Sequence, residues 1–286
     1  MNLKSYGKIN LLLNVLGKRE DGYHDVETII QRIDLFDDIY IDVDKNFDGV
    51  SIKVSCDKKG VPQDEGNLCY KASKWFMDKH GLKGKVTINI EKNIPFEAGL
   101  GGGTSNAAEV IKSLNSIYDK NISIDVLSKQ SVVLGADFPY LMVGGTVLCE
   151  GIGDKLTKID CFSNKIILIV KPYFGFSTKD VYESFDIENV KFNLDKSKII
   201  KYLNENNFLK ICENISNALE YSNVSGMDFI KSIKNKLISF GAKSSCMSGS
   251  GSSVYGVFDN LYLAQKCYDI FKNDYDEVFL TKTIED

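Results

Sequence analysis

The chain is poor in the residues that build metal centres. It has only two histidines, His24 and His80, and its seven cysteines are scattered with no Cys-x-x-Cys pair. No zinc-ligand spacing therefore exists. An odd cysteine count gives no closed disulfide framework, and the thiols read as small, reduced, apolar residues. A basic surplus is also missing. Lys and Arg total 35 against 39 Asp and Glu, for a formal charge of −4. A general nucleic-acid binder carries the opposite balance. A mildly acidic chain that binds a nucleotide must concentrate its positive field locally, in loops and helix ends. Long apolar runs are absent as well. The stretch 9–16 is broken by Asn10 and Asn14, far short of the roughly 18 residues that a membrane span needs. No signal peptide is read there, and a cytoplasmic location is expected. Repeats and low-complexity linkers are lacking.

What is present is ordinary globular composition, 43% hydrophobic and 26% charged over 286 residues. This length suits one large domain or two smaller ones. Strands are expected at 9–16, 39–43 and 52–55, the last two as a pair across the turn residues Asn46, Asp48 and Gly49. Asn67 is placed to cap a helix carrying Leu68, Ala72, Trp75 and Phe76. Val86, Ile88 and Ile90 alternate as a half-buried strand. A helix follows through Ala107, Ala108, Ile111, Leu114 and Tyr118. Another spans 126–134 with Asp125 as cap and Gly135 as terminator. Further on come a strand at 166–170 and helical patterns over 197–206, 208–221 and 229–240. Strands at 243–247 and 253–258, a helix at 261–272 and a strand at 277–283 complete the chain. Strand, helices, two strands, helix, strand is the ferredoxin-like order with an enlarged first helical segment. The expected class is α+β, with domains 1–160 and 161–286.

The densest signal is the run Pro95, Phe96, Glu97, Ala98, Gly99, Leu100, Gly101, Gly102, Gly103, Thr104 and Ser105. Glycines remove side chains where backbone amides must approach a ligand, and they permit positive φ. A strand, a glycine loop and a helix start opened by Thr104 or Ser105 make an anion site, with about +0.5 charge from the helix dipole. A di- or triphosphate is the natural ligand, and the two hydroxyls suit phosphate oxygens or a phosphate-bound Mg²⁺. A Walker loop is excluded because no lysine follows the glycines. A dinucleotide fingerprint is excluded because Thr104 stands where its third glycine belongs.

This run resembles the ATP loop of the GHMP kinases (galactokinase, homoserine kinase, mevalonate kinase and relatives). The triple glycine followed by two hydroxyl residues is most similar to the branch that phosphorylates a cytidine-diphosphate-linked methylerythritol. The resemblance implies ATP and Mg²⁺ as cofactors, and a two-domain architecture. Its N-terminal domain is like domain 2 of ribosomal protein S5 and its C-terminal domain is ferredoxin-like. It also implies roles for residues whose type alone is ambiguous. Asp137, in Gly-Ala-Asp-Phe-Pro-Tyr, reads by itself as the cap of a short helix with Pro139 in its first turn. Lys8 reads as a strand-edge lysine. The family segments that they match carry the catalytic aspartate and its lysine partner. Asp21-Gly22-Tyr23-His24, otherwise a polar turn, matches the loop that receives the cytosine, with Tyr23 for stacking and His24 for the base edge. Asn10 shares a strand face with Lys8 and is placed at the acceptor. The segment 171–178 and Tyr182 resemble the second wall of that pocket, leaving Phe176 and Tyr182 as alternatives for covering the cytosine. A Gly/Ser turn at 247–253 is similar to the family's closing loop. No side chain is assigned as a metal ligand. The expected partner is a small molecule, with no nucleic acid and no membrane, and the chain acts as a monomer or homodimer. The alternatives are another GHMP kinase acting on homoserine or a mevalonate derivative, or a non-catalytic nucleotide- or RNA-binding module.

Overall fold

A computed structural model describes residues 1–187 and 194–285. The chain forms two compact units. One comprises Met1–Gly7, Leu35–Phe96 and Gly101–Val143. The other comprises Lys8–Asp34, Glu97–Leu100 and the described chain from Gly144 onward. Strands β1 (Asn2–Lys18) and β2 (His24–Asp44) are long enough to contribute residues to both.

In the first unit β4 (Gly84–Glu91) is central. It pairs parallel with β3 (Val50–Cys56) and antiparallel with Asp38–Asp44 of β2. Val86, Ile88 and Ile90 are 0–3% exposed, so the alternation seen in the sequence marks the face that packs. The stretches 39–43 and 52–55 are therefore both strands, but they do not pair. β4, which follows the helix α1 (Leu68–Lys79), lies between them. Asn67 caps α1 as expected, accepting from the Cys69 amide at 2.8 Å. α1 packs on α2 (Gly102–Ile117), and α2 and α3 (Ile124–Ser131) both pack on the short α4 (Phe138–Val143). Phe76, Ala107, Val110, Ile111 and Leu114 are fully buried. Each large side chain of that kind contributes about 1.5–3 kcal/mol on burial. The cap of α3 is Ser123 and not Asp125, which sits in the first turn where its charge suits the helix dipole.

In the second unit β5 (Thr146–Gly151) pairs antiparallel with Val26–Gln31 of β2 and forms a hairpin with β6 (Lys155–Lys158). A second sheet has the order β11-β7-β10-β9, all antiparallel, from β7 (Ile166–Lys171), β9 (Ser244–Met247), β10 (Val254–Phe258) and β11 (Glu277–Lys282). Numbered within that sheet the order is 4-1-3-2, the ferredoxin-like arrangement that the sequence pattern suggested. Between β7 and β9 run α5 (Thr178–Glu183), α6 (Lys196–Asn204), α7 (Phe208–Asn214) and α8 (Met227–Ser239). α9 (Leu261–Lys272) joins β10 to β11. α8 and α9 cover the sheet, burying Ile230, Ile233, Leu237, Cys267 and Phe271.

The helical pattern over 208–221 is interrupted. α7 ends at Asn214. Two residues, Ser216 and Asn217 (β8), then pair parallel with Leu12 and Leu13 of β1, and a 3₁₀ turn follows. Asn217 causes the break. Its Oδ1 accepts from the Leu219 amide, and its Nδ2 donates to Met247 O and Gly249 O at 2.9 and 2.7 Å. A side chain committed to three backbone groups overrides helical periodicity.

Candidate active site

The glycine run has residues in both units. In the first unit, α2 begins at Gly102, two to three residues earlier than the hydroxyls suggested. Gly101 is its N-cap, left-handed at φ +71°, and makes no side-chain cap. The Ser105 amide bonds Gly101 O at 2.8 Å, the first intrahelical bond. The preceding amides of the first turn are those that a helix leaves for outside partners. Gly103 is exposed and Thr104 half-buried. Ser105 is buried, and its hydroxyl donates to Tyr6 O at 2.7 Å.

Close to this helix start sits an ion pair that sequence patterns did not reveal. Lys92 Nζ donates to Asp37 Oδ2 at 2.5 Å, with side-chain exposures of 3% and 0%. Asp37 Oδ1 also accepts the amides of Asn93 and Ile94 at 2.8 and 2.7 Å. A Cβ on Gly102 would lie 2.8 Å from Lys92 Nζ and 2.9 Å from Ile94 Cγ2. Gly102 is thus required for close packing. Lys92 directly precedes the loop and could have been noticed, but Asp37 is 55 positions away and gives no local signal.

Asp137 belongs to the first unit too. It is exposed and immediately precedes α4, and its carbonyl accepts from the Leu141 amide at 3.1 Å. The helix-start geometry expected from Pro139 is present. Phe138 to Met142 are buried, and Ser128 donates to Pro139 O at 3.1 Å. A rigid, anchored turn therefore holds a solvent-facing carboxylate.

The second unit gathers Lys8, Asn10 and the segment 97–100. Lys8 and Asn10 are two apart on β1, 4% and 3% exposed, and Lys8 Nζ donates to Asn10 Oδ1 at 2.7 Å. Asn10 Nδ2 donates to Thr28 Oγ1 at 2.8 Å. The Lys8 amide bonds Leu100 O at 3.0 Å, Ser248 Oγ donates to Gly99 O at 2.9 Å, and the Ser253 amide bonds Ala98 O at 3.2 Å. Ala98 and Leu100 are buried, while Glu97 is exposed. A Cβ on Gly249 would reach Lys8 Nζ at 2.9 Å and Gly99 O at 3.1 Å. The Gly/Ser turn that Asn217 clamps thus lies directly against the ammonium. In the first unit's part of the run, Pro95 is buried and Phe96 is 42% exposed.

The same unit holds the aromatic residues. Tyr23 is 55% exposed on a turn fixed by Arg19 Nε to Asp21 (3.1 Å), Arg19 Nη1 to Asp25 (3.0 Å) and the Tyr23 amide to Asp21 Oδ1 (3.0 Å). His24 and Tyr182 are in ring contact, with centroids 5.1 Å apart and planes tilted by 38°. Partial burial, and secondly the charge of Lys18, hold the His24 pKa below its usual 6.5. The neutral imidazole, with one donor and one acceptor nitrogen, therefore prevails at pH 7. Phe176 is placed differently. It touches Phe174 with centroids 5.3 Å apart, and Cβ atoms on Gly251 or Gly226 would meet its ring at 2.9 and 3.3 Å. Among the described residues no three His, Cys, Asp or Glu side chains gather as a metal cage, and no helix is long and apolar enough to cross a membrane.

Comparison with known proteins bears on this arrangement. The GHMP kinase N-terminal domain matches residues 67–145 and the GHMP kinase C-terminal domain matches residues 199–277. The 4-diphosphocytidyl-2-C-methyl-D-erythritol kinase of Clostridium novyi (strain NT) is 47% identical over 284 residues, covering 99% of this chain and 100% of that protein. The protein of the same name from Clostridium botulinum (strain Eklund 17B / Type B) is 46% identical with the same coverage. Among solved structures, a 4-(cytidine 5'-diphospho)-2C-methyl-D-erythritol kinase superposes with a TM-score of 0.81 at 25% identity, covering 99% of both chains. The L. major mevalonate kinase in complex with R-mevalonate has a TM-score of 0.75 at 15% identity, a likeness of fold.

Proposed function

The chain belongs to the GHMP kinases, in the group of 4-diphosphocytidyl-2-C-methyl-D-erythritol kinases, and from that premise we propose how its residues divide the reaction. It is an ATP-dependent kinase that phosphorylates the 2-hydroxyl of 4-diphosphocytidyl-2-C-methyl-D-erythritol, a step of non-mevalonate isoprenoid synthesis.

The glycine run, residues 95–105, takes the nucleotide. First-turn amides of α2 receive the polyphosphate, helped by the helix dipole. Mg²⁺ carried on the ATP phosphates would supply neutralisation of the developing charge. The half-buried Thr104 hydroxyl would suit its remaining coordination better than the Ser105 hydroxyl, which is buried.

Lys8 and Asp137 act on the acceptor hydroxyl. Asp137 aligns it and accepts its proton, and the ammonium offsets charge as the γ-phosphoryl group moves. The transition state of such a transfer is loose, so alignment of the crowded tertiary alcohol dominates over basicity. Asn10, whose side-chain groups bond Lys8 and Thr28, serves the acceptor chiefly by holding Lys8.

Tyr23, His24 and Tyr182 take the cytosine, with neutral His24 reading its donor and acceptor edge. Between Tyr182 and Phe176, we assign the cover to Tyr182, because it is the one in contact with His24. Phe176, wedged against Gly251 and Gly226, supports the wall. The chain works as a monomer or homodimer in the cytoplasm, on a small molecule, without nucleic acid or membrane.

The observation that carries this assignment of parts is the His24–Tyr182 contact. A homoserine or mevalonate acceptor offers no ring to use it. The test is mass detection of a singly phosphorylated product from the cytidine-linked acceptor, with homoserine and mevalonate in parallel. Turnover confined to either of the latter overturns the assignment.

A further inference from the structure

We infer that Thr28 is a positioning residue for the Lys8 ammonium, acting through Asn10 by dictating which way the Asn10 amide faces. The inference rests on the reading that Lys8 acts on the acceptor hydroxyl. It starts from a group that cannot change its polarity. Leu12 O is a backbone carbonyl and only accepts hydrogen bonds. Thr28 Oγ1 donates to it at 2.6 Å, so the hydroxyl proton is committed there. The same oxygen therefore meets Asn10 as an acceptor. Only the NH₂ end of the Asn10 amide suits it, and that end lies 2.8 Å away. The carbonyl end is then forced toward Lys8, whose Nζ donates to it at 2.7 Å.

A reversed amide would set two acceptors against each other at Thr28 and two donors against each other at Lys8. Thr28, Asn10 and Lys8 are 6%, 3% and 4% exposed, so water cannot readily repair either clash. The main chain is pinned as well, since Tyr255 donates its hydroxyl to Asn10 O at 2.7 Å. The polarity of one main-chain carbonyl is thus transmitted through a hydroxyl and an amide to the reacting cation. Gly249 closes the other side, because a methyl there would lie 2.9 Å from Nζ.

Thr28→Val keeps the shape and removes the acceptor. With the Asn10 amide then held at its Lys8 end alone, its placement loosens and kcat falls by about 10- to 100-fold, the scale of a small misplacement of a reacting group, while KM for ATP is unchanged. Thr28→Ser keeps the hydroxyl and restores most of kcat. In an Asn10→Ala background Thr28→Val adds no further loss, because the link through which it acts is already gone. Should the valine variant fail to fold, Thr28→Ala carries the same arms. Losses that multiply in the double variant, or failure of serine to rescue, overturn the inference and leave Thr28 as ordinary packing. Lys8→Ala separates the two levels. If it abolishes turnover while Thr28→Val behaves as wild type, only the role of Thr28 fails. If Lys8→Ala turns over normally, the role given to Lys8 fails, and the inference with it.

Discussion

The two units present different kinds of group to a ligand. In the first, the helix start at Gly101–Ser105 offers main-chain amides, and the side chains near it, Lys92 and Asp37, neutralise one another. In the second, the candidate groups are side chains. Lys8 bonds Asn10, Asn10 bonds Thr28, and His24 is in ring contact with Tyr182, so each of these side chains has a neighbouring side chain as partner. Amide recognition needs only space and a helix, so it tolerates change in side chains but not in backbone room. Side-chain recognition depends in addition on the identity of each group.

The sharpest break in that comparison is Asp137→Asn. Asp137 stands in the amide-rich unit, yet the role proposed for it is that of a side chain. The exchange is expected to lower kcat by roughly 10³-fold or more, the upper range for loss of acid–base assistance with alignment, while ATP still binds in calorimetry. Near-normal turnover would remove Asp137 from the mechanism. Asp37→Ala is next. It strands Lys92 without its partner and releases the Asn93 and Ile94 amides. Breaking a buried pair in this way costs about 3–5 kcal/mol, measurable by urea unfolding. The division between units further requires KM for ATP to rise while KM for the acceptor does not.

Tyr182→Ala tests the other unit. Loss of a stacked base raises acceptor KM by roughly 5- to 150-fold, equivalent to ~1–3 kcal/mol, with ATP affinity intact. Phe176→Ala has the smaller effect on acceptor KM and the larger effect on unfolding, and the opposite ranking would exchange their roles. The smallest effect is one of pH. His24 has its pKa lowered in the folded protein, so it stays neutral down to below 6.5. Acceptor KM is expected to be flat above that pH and to rise only as the imidazole gains a proton below it. The same burial favours the unfolded state at acid pH, since the unfolded histidine takes its proton first. A His24→Gln variant removes both dependences.

The contrast between the units also explains what the sequence discloses. The glycine run stands out because amide recognition writes itself as missing side chains. Its helix boundary was misplaced because glycine is a poor helix former, and Gly102 and Gly103 looked like loop. The strands 39–43 and 52–55 were each visible, but their neighbour β4 comes from beyond α1, and short-range turn signals cannot foresee an inserted strand. Lys8, Asn10, Tyr23 and His24 could be singled out through their motif segments. The groups that orient them could not. Thr28 is 18 positions from Asn10, and Asn217 is 30 and 32 positions from the carbonyls that it clamps. A lone threonine or asparagine looks the same whether it faces water or fixes a reacting group.

Gly99 gives glycine a different meaning from the one that linker design attaches to it. A methyl group there would come within 2.0 Å of Ser248 O and 3.0 Å of the Gly251 amide nitrogen. Glycine at this point marks crowding rather than slack: two stretches of main chain touch with no atom to spare between them. Grafting this turn onto another scaffold would fail unless the opposing 248–251 strip were carried along, since the turn is held by the piece of chain pressed against it.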